Sequence, residues 1–451
     1  MHQQRERKVL LDSLRERTPA SERCYMKART ILPGGLSSGA RAFDPHPFYA
    51  HRGQGSRIWD IDGNEYLDCC MSFGVLILGH RHPAVMEAIK SQSERGLIFG
   101  APHEMEIKFA QKFVQCVPCA DMVLICNSGT EATMQGIRIM RAFSGKDKIA
   151  KFEGGFHGWH DYALWSHNLH PEKMGTPERP TLVPDSAGIP DAVKETMLLL
   201  PYNESAFTLI EEHACELAGV MIEPILGVGC IPVEKSFLER LRQVTRKAGV
   251  LLLFDEVVTG FRLGLGGAQE YYGVIPDLAT YGKAIGGGFP IGAVGCSAEM
   301  MSEVIDGDMP ISVAGTFSGN PMTLAAGNAT LGFLRDNPQM YDEMAAKGDH
   351  MRSSFNEFAQ QKGLPAIMTG AASLSQVHLR EPPVSNPRDM LDQDHKTLHD
   401  FQLYLRYNGI FTPRIHWAVL SAAHSDEDLE WAIRAHKVSL EASIKAQAAR
   451  S

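Results

Sequence analysis

A chain of 451 residues, 44% hydrophobic and 22% charged, is long enough for two or three domains around a large core. Its 44 basic and 53 acidic residues leave a formal charge of −9, which speaks against a nucleic-acid partner. No stretch is apolar enough to span a bilayer, the N-terminus lacks a signal-peptide core, and nine scattered cysteines form no disulfide framework, so a cytoplasmic protein without membrane contact is expected.

The first seventeen residues carry charges of both signs and read as a solvent-exposed amphipathic helix. A second helix is expected over 19–36, stopped by Leu32-Pro33-Gly34-Gly35. The alternation from Ser56 to Asp68 predicts a hairpin with its turn at Asp62-Gly63-Asn64. Gly79-His80-Arg81-His82-Pro83 then leads into a helix. Cys116-Val-Pro-Cys119 has no second pair and reads as ordinary thiols.

From Met122 onward strand and helix alternate. MVLIC is a strand, and Asn127-Ser128-Gly129-Thr130 opens a long helix. Strands follow at 149–152, 219–222, 250–254 and 291–294, with a helix over 237–247 capped by Gly249. This alternation means a parallel sheet covered by helices, an α/β fold. An alanine-rich helix runs from Pro321 to about Leu334, and 335–451 reads as a separate α+β unit. Between the strands at 149–152 and 219–222, residues 157–190 are loop-like. Its His157, His160, His167 and His170 have no carboxylate at ligand spacing, so no metal site is expected.

Two residues stand out chemically. Asp255 ends the apolar run Val250–Phe254, and Lys283 follows the short apolar segment 276–281 before Gly286-Gly287-Gly288. Ligands of open α/β sheets bind at the carboxyl ends of strands. A lysine for an imine and an anion for a pyridinium nitrogen together suit pyridoxal phosphate. Asn127-Ser128-Gly129-Thr130 supplies a helix N-terminus with free N–H groups for a phosphate, although a simple N-cap has the same residues. Gly315-Thr316-Phe317-Ser318-Gly319-Asn320-Pro321 is a second turn of this kind.

These four motifs, in this order, resemble the class III pyridoxal-phosphate aminotransferases of fold type I. The similarity is strongest to the branch of glutamate-1-semialdehyde aminomutases and β-amino-acid transaminases, and it covers about residues 30–440. The resemblance implies a large cofactor domain with a mostly parallel sheet over 76–334. It implies a smaller α+β domain from both termini, 1–75 and 335–451. Lys283 matches the lysine that bonds the cofactor, and Asp255 the partner of its ring nitrogen. Ser128, Gly129 and Thr130 match the phosphate cup. Thr316 matches a threonine reaching the phosphate of the neighbouring subunit, which implies a homodimer with shared sites. Phe156 stands where the family usually has a ring-stacking tyrosine, and Val257 packs on the opposite face.

Arg41 matches a substrate-carboxylate arginine of the aminomutase branch. Arg414 resembles an arginine near the second pocket of β-amino-acid transaminases. His416 stands where aminomutases carry a glutamate, and Leu226 replaces a glutamine after Glu223-Pro224. Those departures favour a ping-pong aminotransferase passing the amino group of a β-amino acid, with an apolar or aryl side chain, to an α-keto acid. Glutamate-1-semialdehyde 2,1-aminomutase is the runner-up. A catalytically idle cofactor-binding protein is the reading of another class.

Overall fold

The computed structural model describes residues 2–306, 309–412 and 417–448. They form two compact units. The larger holds Pro83–Asp342 with the short segment Ser385–Leu391. The smaller holds the described residues of Met1–His82, Glu343–Val384 and Asp392–Ser451. The boundaries expected at 75/76 and 334/335 therefore fall at 82/83 and 342/343, and the segment 385–391 belongs with the larger unit.

The larger unit is built on a seven-stranded sheet. Its strands are β1 (Met122–Cys126), β2 (Lys148–Phe152), β3 (Met197–Leu200), β4 (Leu217–Ile222), β5 (Leu251–Asp255), β6 (Leu278–Gly282) and β7 (Gly292–Cys296). Their spatial order is β1-β7-β6-β5-β4-β2-β3. Only β7 runs antiparallel to its neighbours, β6 and β1. Apolar runs without alternation belong in such a sheet because both faces are covered. All six residues of β4 are buried. Strand β3 was not anticipated, because its four residues, Met-Leu-Leu-Leu, emerge from a long irregular stretch.

The helices beside the site are α1 (Pro83–Ser93), α2 (Glu104–Cys116), α3 (Gly129–Ser144), α4 (Ser205–Glu212), α5 (Lys235–Ala248) and α6 (Pro321–Asp336). Helix α3 starts at an N-cap, Ser128, and ends at Gly145 with φ 66°, the usual left-handed stop. Its Ile137 and Met140 pack with Leu124, Ile149, Met221, Leu253, Leu278 and Val294 into one core. The strand ends that carry the site are thus set by a buried apolar layer, which fixes their register.

The smaller unit contains the expected hairpin, Arg57–Asp60 paired with Glu65–Asp68, extended by Ala50–Gln54 and Ile410–Phe411. A three-stranded sheet, 367–369, 374–378 and 418–419, lies in the same unit. Leu67, Met351, Phe355, Phe401, Leu405 and Ile433 share its core. The helix expected over 19–36 spans only Pro19–Ala28. The N-terminal helix is not wholly solvent-exposed, since Leu10 and Leu14 are buried against Leu403. Among the described residues no helix is long and apolar enough to cross a membrane.

Candidate active site

Strands β5 and β6 are parallel neighbours, with Asp255 opposite Thr280. Asp255 is the last residue of β5, and Lys283 directly follows β6. The acid and the amine therefore leave the sheet at the same end. Lys283 has φ 49°, in the left-handed region that a side chain normally avoids. It opens a short 3₁₀ turn, Lys283–Gly286, closed by Gly287 at φ 58°. A Cβ on Gly287 would stand 2.6 Å from Thr330 Oγ1 and 2.7 Å from Ala326 O, so glycine lets this turn press onto α6. Burial draws the Lys283 ammonium down to about 8, against the pull of Asp255 and Glu223. A lysine in that range is neutral in about a tenth of the molecules near pH 7, far more than an ordinary lysine.

Asp255 and Glu256 are adjacent but differently used. Glu256 is fully buried and accepts from Ala268 N at 2.6 Å, Thr259 Oγ1 at 3.0 Å and Gln269 Nε2 at 3.0 Å. It is a structural carboxylate. Asp255 accepts from Val257 N at 3.1 Å and Thr280 Oγ1 at 3.3 Å. Its other oxygen accepts from His157 Nδ1 at 2.7 Å. Burial lowers the pKa of His157, so the ring is neutral with its proton on Nδ1.

The phosphate-type turn follows β1. Glu131 N donates to Ser128 Oγ at 3.1 Å, which is the N-cap bond. The Ser128 hydroxyl keeps its own proton to donate. Asn127 N and Nδ2 both donate to Glu131 Oε2. A Cβ on Gly129 would meet Val257 Cγ1 at 2.9 Å, so Val257 seals against the first turn of α3. The turn at 315–320 lies beside it, with Asn127 Nδ2 3.4 Å from Ser318 Oγ. Thr316 is exposed in the protomer. A cleft of about 470 Å³ opens between these turns, lined by Asn127, Glu131, Phe289, Phe317 and Thr323 among others.

Phe156 follows β2 and packs edge-on against Trp159 and tilted against His167. Its N–H donates to Glu223 Oε2 at 2.9 Å, and Gly227 N donates to Glu223 Oε1 at 3.1 Å. Burial and the nearby Asp255 push the Glu223 carboxyl up to about 8. Arg388 grips Glu153 at 2.7 and 3.0 Å, holding the segment 385–391 beside this loop.

The larger unit thus brings Asp255, Lys283, Ser128, Gly129, Thr130, Val257 and Phe156 to the strand-end side of one sheet. Sequence reasoning missed the roles of His157, Glu223 and Lys151. His157 was weighed only as a metal ligand, whereas its ring nitrogen belongs to Asp255. The signals were present: a histidine beside Phe156, a glutamate directly after β4 and a lysine inside the apolar strand β2. His160 Nε2 meets Thr133 Oγ1 at 3.2 Å, and His167 Nδ1 meets Gly154 O at 3.4 Å. In the smaller unit Arg41 is exposed and donates to Ser37 Oγ at 3.1 Å. Arg414 and His416 lie outside the described residues.

These residues fit pyridoxal phosphate. The donor set offers an amine, a carboxylate held by a neutral histidine, and a helix N-terminus whose Gly129 leaves no room for a Cβ.

Comparison with known proteins agrees with that chemistry. A glutamate-1-semialdehyde 2,1-aminomutase of Methanothermobacter thermautotrophicus is 42% identical over 421 residues, 92% of this chain and 97% of the relative. The enzyme of that name from Methanosarcina acetivorans is 41% identical, with the same coverage. An omega-transaminase from Sphaerobacter thermophilus superposes with a TM-score of 0.89 at 37% identity, covering 94% of this chain and 98% of that one. The expected reaction, amino transfer from a β-amino acid to a separate α-keto acid, is overturned by these aminomutase relatives. His416 and Leu226 are two positions and do not outweigh similarity across nine-tenths of the chain. The model of the class-III aminotransferases matches residues 38–422, and the chain belongs to that family.

Proposed function

We propose that the protein is a glutamate-1-semialdehyde 2,1-aminomutase, with pyridoxal phosphate as cofactor. The observation that carries this reading is the 42% identity to an enzyme of that name over 92% of the chain. The Asp255–Lys283 geometry supplies the groups such an isomerase needs.

The reaction exchanges an amino group and an oxygen between two carbons of one molecule, so substrate and product have the same atoms. When bound, pyridoxal phosphate supplies an aldehyde for amine exchange and an electron-poor ring that accepts the electron pair of a substrate C–H bond. Asp255 holds a proton at the ring nitrogen, and His157 keeps that carboxylate oriented. Lys283, drawn down to about 8, takes a proton from one substrate carbon and returns it to the other. Backbone N–H groups at Gly129 and Thr130, with the Ser128 hydroxyl, hold the phosphate oxygens. Phe156 and Val257 would pack against the ring and exclude water. Arg41 binds the substrate carboxylate. The active assembly is a homodimer in which Thr316 serves the partner's phosphate.

The test is direct. The semialdehyde, incubated with purified enzyme and no α-keto acid, is expected to isomerise. An absolute requirement for added pyruvate or 2-oxoglutarate, with stoichiometric release of a keto product, overturns the reading.

A further inference from the structure

Lys151 sits inside β2, fully buried, where apolar side chains are the rule. Its ammonium donates to Gly155 O at 2.8 Å, to Ala163 O at 2.9 Å and to Trp165 O. Three donors thus meet three carbonyls of the loop that carries Phe156. Glu223, 4% exposed, directly follows the neighbouring strand β4 and accepts the Phe156 N–H at 2.9 Å. Gly155 O and Phe156 N belong to the same peptide group. Its negative end faces a buried cation and its positive end faces a buried carboxyl group. This orientation is the favourable one for the peptide dipole, and low dielectric strengthens both contacts. The next residue, His157, then meets Asp255 at 2.7 Å.

We propose that Lys151 and Glu223 are positioning residues that clamp the Gly155–Phe156 peptide from its two ends, fixing the Phe156 ring for the cofactor and His157 for Asp255. The inference rests on Phe156 stacking against pyridoxal phosphate. It does not depend on which amino compound is the substrate.

Four variants test it: Lys151→Met, Glu223→Leu, Glu223→Gln and the unrelated surface change Lys247→Met. Glu223→Gln keeps one oxygen for the Phe156 N–H and turns its amide nitrogen toward Gly227 N–H. The first readout is amide hydrogen exchange of a peptide spanning 153–158 in cofactor-free protein. Lys151→Met and Glu223→Leu are expected to exchange there about tenfold faster or more, with α5 unchanged. Lys247→Met is expected to behave as wild type, and Glu223→Gln to exchange there more slowly than Glu223→Leu. The second readout is pyridoxal-phosphate affinity together with the visible circular dichroism of the bound cofactor. Both are expected to fall in Lys151→Met and Glu223→Leu, affinity by about tenfold or more, and to be partly restored in Glu223→Gln.

Wild-type exchange at 153–158 in a folded Lys151→Met or Glu223→Leu protein overturns the clamp. So does faster exchange with unchanged affinity and dichroism. Glu223→Gln exchanging as fast as Glu223→Leu overturns the acceptor role. If Lys151→Met does not fold, the two Glu223 variants decide the matter alone. Failure of the aminomutase assay leaves every one of these outcomes readable, because none of them uses substrate.

Discussion

His157→Phe removes one hydrogen bond from the centre of the site while keeping an aromatic ring of similar size. The bond joins His157 Nδ1 to Asp255 Oδ2 at 2.7 Å, with the side chains 0% and 4% exposed. A hydrogen bond to a charged partner contributes about 1.5–3 kcal/mol, and in this dry setting nothing replaces it. Among the described residues the Asp255 carboxylate then keeps Val257 N at 3.1 Å and Thr280 Oγ1 at 3.3 Å, both on its other oxygen. That oxygen pair is then free to turn. The expected loss in pyridoxal-phosphate affinity is roughly 10- to 150-fold, the same energy expressed as a binding ratio. Titration of cofactor-free protein, followed by the visible absorption of the bound ring, measures it. His160→Phe is the control, because His160 meets Thr133 and not Asp255. A folded His157→Phe protein that binds the cofactor within twofold of wild type, with an unchanged spectrum, refutes the reasoning.

Lys283→Ala is expected to abolish turnover and to lose its yellow colour on gel filtration, and retained full activity would end the proposed mechanism. Gly129→Ala places a Cβ 2.9 Å from Val257 Cγ1. Phosphate-dependent cofactor binding should weaken by about tenfold, with partial rescue in Gly129→Ala/Val257→Ala, and no rescue would show that the clash is not the cause. Arg41→Ala should raise KM for the semialdehyde by about tenfold or more while sparing binding of the cofactor; an unchanged KM removes Arg41 from the substrate site. Burial holds His424 and His436 down to about 4 against an ordinary 6.5. The unfolded chain takes up those protons below about 6.5 and the folded chain does not, so stability present above 6.5 is lost on acidification, at roughly 1.4 kcal/mol per pH unit for each ring. His436→Phe should flatten the fall in thermal midpoint between pH 6.5 and 5, and an identical slope in that variant rules out this source.

Much of the larger unit was legible because buried parallel strands are written as unbroken apolar runs. MVLIC, LAGVMI and LLLFD announce themselves, and glycines and caps mark the helices between them. The direction of β7 was not legible, since Gly-Ala-Val-Gly-Cys reads alike whichever way it runs. Asp255 and Lys283 were found because a charge at the end of an apolar run is chemically conspicuous. His157, Glu223 and Lys151 were not, because their meaning lies in partners 98, 67 and 4–14 residues away. The reaction itself was misjudged from single positions, His416 and Leu226. Leu226 is buried in a two-residue strand paired with Ile231–Pro232, so its side chain answers to packing.

The smaller unit is stitched from three separated stretches of chain, and this sets an order of events during synthesis. Residues up to His82 have left the ribosome long before Glu343 exists. At about 5–20 residues per second, the delay is on the order of 15–50 s. Throughout it Leu10, Leu14 and Leu67 have none of their later companions, Leu403, Phe355 and Phe401, to shelter against. The larger unit, almost continuous, can meanwhile close. A nascent chain halted near residue 340 should therefore carry one body complete but for 385–391 and one sticky, unfinished arm, which is the kind of surface a holding chaperone binds.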